Sequence, residues 1–393
     1  MNKWIEIHLD SIENNLVEIR RHLGEDAQLI AVIKADAYGM GAGEIAHTLS
    51  QNGVVYFAVA FLSEALDLRA RGREEEILIF SPLSLAEARR AIEKNCILTV
   101  ASLEDLEAAE KAAADRLGRL ARIHVKVDTG LGRFGSSRLE TIEILQRAAD
   151  SSNVLLEGIY THFSDAGGSS RYTMNQFAIF ESILEEMEVL GINIPMRHCC
   201  SSSSFLKFPF MHLDAVRIGT LLGGQFPADA VDRSIHLQDP YRFKARVVAV
   251  RDLKKGSFIG YNRTYRLRRD AKVAVVAAGL ADGLGVAPLP KPISVWDLIK
   301  VVAKTLAMFL NINRQVTLAM LDGQKAFIRG KVFMQFCQVE FPAGIIVRTG
   351  DEVELPVKRT LASRSISRVY YRDGQPGKIE NYISRLSYTA GEE

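Results

Sequence analysis

The sequence predicts an α/β protein: a (β/α)8 TIM-type barrel followed by a mainly β C-terminal domain. Three observations lead to this fold. Between about residues 28 and 220, eight short apolar runs alternate with amphipathic segments. After about residue 225, helical spacing gives way to alternating runs joined by turns. The chain has 393 residues, which is enough for two domains. We expect the barrel in residues 11–225 and the β domain in residues 1–10 together with 226–393.

The apolar runs of the predicted barrel have the length and the β-branched content of strands. The first is QLIAVIK and the last is AVRIGTL. Intervening segments such as GEIAHTLSQNG and LETIEILQRAAD repeat apolar residues at three- and four-residue spacing, which is typical of amphipathic helices. A doubly wound open sheet is the structural alternative, and the count of eight strands favours the barrel.

The predicted β domain contains runs such as YRFKARVVAVRDL and DEVELPVKR, with DG between alternating runs as a hairpin signal. The N-terminal stretch WIEIHLD also has the pattern of a strand that could pair with this domain. One inserted segment, near residues 292–312, has instead the spacing of a helix with a broad apolar face. We expect it to pack on the β domain or across a dimer contact. A helix lying on a membrane surface is the alternative, and the charges of Asp297, Lys300 and Lys304 argue against a spanning helix.

Composition and charge bear on which partners the protein could bind and where it is located. The formal net charge of +2 gives no argument for binding to nucleic acid or membrane. The N-terminus carries acidic residues throughout and lacks the apolar core of a signal peptide. We therefore expect a cytoplasmic protein with reduced thiols and without a metal site. The four cysteines, which lack metal-ligand spacing, are Cys96, Cys199, Cys200 and Cys337.

Polar side chains stand at the carboxyl ends of the predicted barrel strands, where TIM barrels carry their chemistry. Lys34 ends the first strand, and a lysine is costly to bury unless it is paired, neutralised or covalently used. Singly, each group has an ordinary explanation as a rim lysine, a core histidine or a loop serine. The groups at the strand ends are Lys34, Tyr38, Lys126, Asp128, Arg133, His162, His198, Ser201, Ser202, Ser203, Ser204, Arg217 and Gly219.

Together these groups suit a phosphorylated cofactor that carries an aldehyde. Covalent attachment to Lys34 would remove its charge. Ser202 and the backbone around Gly219 and Thr220 would hold the phosphate, because a glycine lets the backbone approach closely.

Seven motifs occur in one order along nearly the whole chain. They are AVIKADAYGMG, VKVDTGLGRFG, YTHF, VRIG, YNRTY, GLADG and LDGQKAFIRGKVFM. In this order they resemble the motifs of the alanine racemase family. The resemblance implies pyridoxal 5'-phosphate as cofactor, an amino acid as substrate and racemisation by two bases. It also implies a homodimer in which Tyr261 comes from the second subunit.

The resemblance further implies roles for individual residues. Lys34 would bind the cofactor and act as one base, and Tyr261 would act as the base on the opposite face. Arg217 would donate a hydrogen bond to the pyridine nitrogen, and His162 would hydrogen-bond to Arg217 beside Tyr261. Arg133 and the backbone of Met334 would hold the substrate carboxylate. Lys126, which matches a lysine often carbamylated in the family, and Asp128 would support Arg133. The phosphate of the cofactor would be held by Tyr38, Ser202, Gly219 and Thr220.

Several positions depart from the family pattern near the expected entrance. Leu280 occupies a tyrosine position, Ser201 replaces an asparagine, and Arg364 aligns with a tyrosine near the C-terminus. Phe333 and Gln335 flank Met334 where a cysteine and an aspartate are usual. The bases and the cofactor residues are retained, so we expect an alanine racemase.

Three other functions stay open at this stage. They are a racemase or epimerase of a larger or polar amino acid, another pyridoxal-phosphate reaction such as decarboxylation, and a cofactor-binding homologue without catalysis. Tyr261 argues against the last of these, because a carrier protein needs no second base.

Overall fold

The computed structural model describes residues 1–115, 118–227, 234–286, 295–309 and 318–380. The chain divides into two compact units. One unit is His8–Pro240, and the other combines Met1–Ile7 with Tyr241–Glu393. The chain begins with strand β1 (Lys3–His8), which pairs with the sheet of the second unit.

The first unit is a parallel barrel of eight strands, which confirms the predicted fold class. Its strands are β2 (Gln28–Val32), β3 (Tyr56–Val59), β4 (Glu76–Ile79), β5 (Ile97–Val100), β6 (Ala121–Lys126), β7 (Val154–Tyr160), β8 (Met196–His198) and β9 (Ala215–Ile218). Neighbours pair in the order β8-β7-β6-β5-β4-β3-β2-β9. Backbone hydrogen bonds from Asp214 N to Arg197 O (3.1 Å) and from Arg217 N to Cys200 O (3.0 Å) join the segments of β8 and β9 and close the ring.

Helices surround these strands and begin where the sequence offers caps. The side chains of Ser84, Ser102, Ser137 and Ser169 each accept a hydrogen bond from a backbone N–H in the first turn of the helix that follows. The helices are α1 (Leu9–Arg21), α2 (Ala42–Gln51), α3 (Leu62–Ala70), α4 (Leu85–Glu93), α5 (Leu103–Ala114), α6 (Arg138–Asp150), α7 (Ser170–Val189) and α8 (Ser202–Lys207).

The second unit is mainly β, as the sequence predicted. Its strands after β1 are β10 (Tyr241–Leu253), β11 (Phe258–Ile259), β12 (Tyr265–Arg266), β13 (Ala271–Val276), β14 (Leu318–Leu321), β15 (Gln324–Arg329), β16 (Cys337–Phe341), β17 (Glu352–Leu355), β18 (Arg368–Arg372) and β19 (Gln375–Glu380). The long strand β10 pairs with β1, β13 and β17, and six strands form a ring in the order β10-β17-β14-β15-β16-β13.

The inserted segment contains helix α9 (Val295–Phe309), and residues 292–294 and 310–312 of the predicted span lie outside the described residues. The apolar side chains described on α9 are exposed in the single chain, and the exposed fraction is 71% for Trp296 and 54% for Leu306. Within the described residues of the single chain, therefore, these apolar side chains are uncovered, and packing of α9 across a dimer contact stays a prediction.

Three further observations concern only the part of the chain that the structure describes. None of the helices there has the length and apolar character needed to cross a membrane. The four cysteines are buried free thiols. No group of three or more histidine, cysteine or acidic side chains is arranged to hold a metal ion there.

Candidate active site

A cavity of about 290 Å³ opens at the carboxyl ends of the barrel strands. It brings together ten of the residues that the sequence singled out, although they come from strands far apart in the chain. They are Lys34, Tyr38, Arg133, His162, Ser201, Ser202, Ser203, Arg217, Gly219 and Thr220.

The chain turns left-handed directly after Lys34. Ala35, Asp36, Ala37 and Tyr38 all have φ between 50° and 59°, a conformation that costs each non-glycine residue roughly 1–2 kcal/mol. Such a turn persists only when its surroundings hold it. Here the Asp36 carboxylate accepts a hydrogen bond from Ala42 N (2.8 Å).

Glu64, at the start of α3, holds the same turn from the next strand–helix unit. Its carboxylate accepts hydrogen bonds from Ala35 N (2.6 Å), Ala60 N (2.8 Å) and Phe61 N (3.1 Å). Sequence reasoning missed this residue. The available signal was a glutamate three residues after the N-cap residue Phe61, which indicates a cap but gives no hint of a bond to residue 35.

Lys34 presents a half-buried amine to the cavity, with Nζ 6.0 Å from the centroid of the Phe80 ring. Desolvation lowers the pKa of Lys34, the positive charges of Arg133 and Arg217 lower it further, and Glu64 opposes them. The amine therefore gives up its proton more easily than an exposed lysine, as a nucleophile or a base requires.

Tyr38 and Gly219 meet at one end of the cavity. A Cβ atom at residue 219 would overlap the Tyr38 hydroxyl and ring, so this position admits only glycine while Tyr38 stays in place. Gly219 N donates to the buried Ser202 Oγ (3.4 Å). Burial raises the pKa of Tyr38 to about 12, so its hydroxyl stays protonated and can donate to an anion.

Arg217 is a buried cation beside the cavity. Its guanidinium donates to the carbonyls of Thr161 (2.6 Å), His198 (3.0 Å) and Cys199 (3.1 Å), and lies 3.4 Å from His162 Nδ1. Desolvation, followed by the charge of Arg217, lowers the pKa of His162 well below its ordinary value. A guanidinium keeps its proton in proteins, so the site pairs a fixed cation with a neutral imidazole.

Arg133 reaches the cavity from the loop after β6, and Asp128 shapes that loop. The Asp128 carboxylate accepts hydrogen bonds from Gly130 N (3.0 Å), Leu131 N (2.8 Å) and Gly132 N (3.0 Å). Partial burial tends to raise the pKa of Asp128, but these backbone bonds outweigh it and lower the pKa. A charged carboxylate thus fixes the loop that carries the exposed Arg133 guanidinium.

Lys126 lies outside the cavity lining and is 1% exposed. Its Nζ donates to Val127 O (3.0 Å) and stands 5.3 Å from the centroid of the Tyr160 ring. Desolvation and the nearby Arg217 charge lower the pKa of Lys126 to about 7. Close to neutral pH this amine is therefore partly uncharged.

Two predicted residues, Tyr261 and Met334, belong to the second unit. The Tyr261 ring meets Phe333 edge to face with centroids 4.9 Å apart, and 66% of Tyr261 is exposed. The Phe333 carbonyl accepts a hydrogen bond from Leu280 N and the Met334 carbonyl from Ala281 N, both at 2.9 Å. Phe333 thus contacts the predicted second base, and Leu280 bonds to the backbone of Phe333.

Two family models match the chain. The model described as "Alanine racemase, N-terminal domain" matches residues 7–227, and "Alanine racemase, C-terminal domain" matches residues 241–369. The chain belongs to the alanine racemase family. It is therefore an enzyme of the racemase class of isomerases.

Individual members of the alanine racemase family agree with this assignment. Alanine racemase 1 of Oceanobacillus iheyensis is 39% identical over 71% of this chain and 75% of its own length. Alanine racemase 1 of Caldanaerobacter subterraneus is 33% identical over 96% of this chain and 97% of its own length. A solved alanine racemase of Clostridium difficile superposes with a TM-score of 0.86 at 27% identity, covering 98% of this chain and 99% of its own.

Proposed function

We propose that this racemase interconverts L- and D-alanine with pyridoxal 5'-phosphate as cofactor. The observation that carries the proposal is the joining, in one cavity, of an amine of lowered pKa, a buried guanidinium and a glycine–tyrosine contact. The relatives named alanine racemase support the substrate, and the family depends on this cofactor.

The cavity residues suit that cofactor. Lys34 supplies the amine that would attach to it, and Arg217 supplies a donor for the ring nitrogen. At residue 219 the missing Cβ would let a phosphate oxygen approach the backbone closely, beside the hydroxyls of Tyr38 and Ser202. When bound, the cofactor draws electrons from the α-carbon of the attached amino acid and makes its proton acidic.

Inversion of the α-carbon needs a proton acceptor on one face and a donor on the other. Lys34 Nζ would exchange the proton on one face, and the Tyr261 hydroxyl would do so on the opposite face. Arg133, on the loop fixed by Asp128, would hold the substrate carboxylate together with the backbone of Met334. Met334 and Tyr261 would come from the partner subunit of a homodimer, because each is exposed in its own chain.

Arg217 would also restrict the chemistry. A guanidinium gives up its proton very reluctantly, so it leaves the ring nitrogen of the cofactor unprotonated. The cofactor ring would then withdraw electrons less strongly than with a carboxylate partner, which disfavours side reactions such as transamination.

Free, buried thiols fit a reducing compartment, and we place the enzyme in the cytoplasm on that ground.

Proton NMR in deuterated buffer tests the proposal. The protein is given pyridoxal phosphate and single L- or D-amino acids, and loss of the α-proton signal is followed together with chiral analysis. Alanine should exchange fastest, with inversion. The Lys34→Ala variant, under the same conditions, gives the background due to free cofactor. If no amino acid exchanged faster with the native protein than with this variant, the proposal would be wrong.

A racemase of a larger or polar amino acid is the second candidate. Two replacements in the second unit favour it: Leu280 at a tyrosine position and an exposed Arg364 at another. Loss of bulky side chains at an entrance loosens selection for a single methyl group. The same panel separates the candidates, because fastest exchange with glutamate or lysine, rather than alanine, would support this one.

A further inference from the structure

Arg217 is buried without an acidic partner. It is 4% exposed, and among the described residues no carboxylate oxygen lies within 4.0 Å of its guanidinium. A buried cation is costly unless other groups supply compensating negative potential. Three carbonyls supply part of that potential. Arg217 also lies 5.1 Å from the centroid of the Tyr160 ring and 3.4 Å from His162 Nδ1. Its shortest contact to a side chain runs from Nη1 to His198 Nδ1, at 2.8 Å.

His198 begins a chain of hydrogen bonds through the interior of the barrel. His198 Nε2 lies 2.9 Å from His124 Nδ1, and His124 Nε2 lies 3.1 Å from the Tyr56 hydroxyl. The exposed fractions are 0% for His198, 1% for His124 and 3% for Tyr56. Tyr56 is the first residue of β3, so the chain runs from the active-site end of the barrel toward the opposite end.

The guanidinium fixes the direction of every bond in this chain. Arginine only donates, so His198 Nδ1 must accept and His198 Nε2 must carry the hydrogen. His124 Nδ1 then accepts that hydrogen, and His124 Nε2–H donates to the Tyr56 oxygen. Protonation of either imidazole at Nδ1 would set N–H against N–H. Each neutral ring therefore turns its lone pair toward Arg217, as a cation without a carboxylate requires.

We propose that His198 and His124 are positioning residues: with Tyr56 they form a buried chain that orients Arg217 and sustains its charge in place of an anion. This inference rests on the proposed role of Arg217 toward the cofactor ring. Its consequence is that one Arg217 donor is held toward the ring nitrogen while the carbonyls and His198 occupy the others. Disturbing the chain at its far end should therefore alter the chemistry at the site.

The first experiment needs no cofactor. Nitrogen-15 NMR of the protein labelled in histidine, freed of cofactor, reports the tautomer and charge of each imidazole. We expect both His198 and His124 to be neutral and protonated at Nε2 from pH 8 down to pH 5. Burial lowers the pKa of His124 to about 3, in accord with that range. A Nδ1–H tautomer, or a cation at pH 7, for either ring would overturn the proposal.

The second experiment uses the protein loaded with pyridoxal phosphate. Tyr56→Phe removes only the last acceptor, and His124→Phe breaks the chain next to His198. We expect a fall in kcat/KM of about threefold for the first and about tenfold or more for the second, because each leaves a buried donor unpaired. The ratio of transamination to racemisation should rise in both variants, whereas a purely structural defect would lower both reactions together.

His212→Phe is the matched control. His212 is 4% exposed in the same unit, but it bonds to the carbonyl of Phe205 (3.0 Å) and has no part in the hydrogen bonds that link Arg217 to Tyr56. It should leave the reaction ratio unchanged. Tyr56→Phe removes one hydroxyl and should still fold. If this folded variant kept the native ratio of transamination to racemisation, the proposal would be overturned. If the native protein racemised nothing, the proposed function would fail, and the NMR experiment would still decide whether the chain exists.

Discussion

At residue 219 the absence of one carbon atom shapes one end of the cavity. Gly219→Ala would place a Cβ against the Tyr38 hydroxyl and ring. We expect the variant to bind pyridoxal phosphate at least tenfold more weakly, because either Tyr38 or the backbone must move away from the phosphate position. Equilibrium titration by cofactor absorbance or fluorescence measures this affinity.

A control for Gly219→Ala is available in the same unit. A Cβ at Gly24 would have its nearest neighbours at 3.9 Å, and its φ is not left-handed. Gly24→Ala should therefore bind the cofactor as the native protein does. Equal binding by the two variants would contradict the proposed phosphate site.

Lys126 should make stability depend on pH, and the sign follows from its lowered pKa. The folded state releases the proton near pH 7, whereas the unfolded chain holds it up to its ordinary value of 10.5. Between these values the unfolded state binds more protons, so stability rises with pH, by up to about 1.4 kcal/mol per unit from this one group.

Urea unfolding at pH 7 and pH 9 in buffer free of carbon dioxide tests this prediction. Lys126→Met removes the titrating amine and keeps a long side chain. The native protein should gain stability between the two pH values relative to the variant. A constant difference between native protein and variant would show that Lys126 is not held at a lowered pKa.

At the scale of an element, the left-handed turn after β2 depends on a side chain from α3. Glu64→Gln retains the shape of the side chain but replaces one carboxylate oxygen by an NH2 group. The three backbone N–H groups now donate to the carboxylate, and in the variant the NH2 group would face at least one of them. We expect kcat to fall about tenfold, because a backbone N–H that loses its acceptor no longer holds the turn that follows Lys34. Loss of the Glu64 charge should also shift the acidic limb of the pH–rate profile downward, since that charge raises the pKa of Lys34.

Glu87→Gln provides the comparison. Glu87 stands in the same capping position of α4 and accepts from Ser84 N (3.0 Å), away from the cavity. Its replacement should alter stability slightly and leave the pH profile in place. The interpretation of Glu64 would be wrong if both variants shifted the profile equally.

These elements also show what sequence reasoning could and could not reach. The spacing of apolar residues predicted the barrel strands, and the position of Lys34, Arg133 and Arg217 at strand ends followed from that fold. The left-handed turn was not predictable, because Ala35 to Tyr38 contain no glycine and the carboxylate that holds the turn is distant in sequence. Tyr261 could be singled out only by resemblance, since a lone tyrosine in a β domain carries no local signal of catalysis.

At the scale of the whole molecule, the proposed function requires two chains. Each site would combine Lys34 of one subunit with Tyr261 of the partner subunit. Lys34→Ala and Tyr261→Phe should each be nearly inactive as pure dimers. In a hybrid dimer, one site carries both defects while the other joins an intact Lys34 to an intact tyrosine.

Mixing the two inactive variants therefore restores activity only if the site is shared. After subunit exchange at equal concentrations, half of the dimers are hybrids with one intact site, so activity should reach about a quarter of the native value. The control is each variant carried through the same exchange with itself, which should stay inactive. If both bases came from one chain, no mixture would regain activity, because each chain would retain its own defect. The fraction restored thus reports how the second base reaches the barrel.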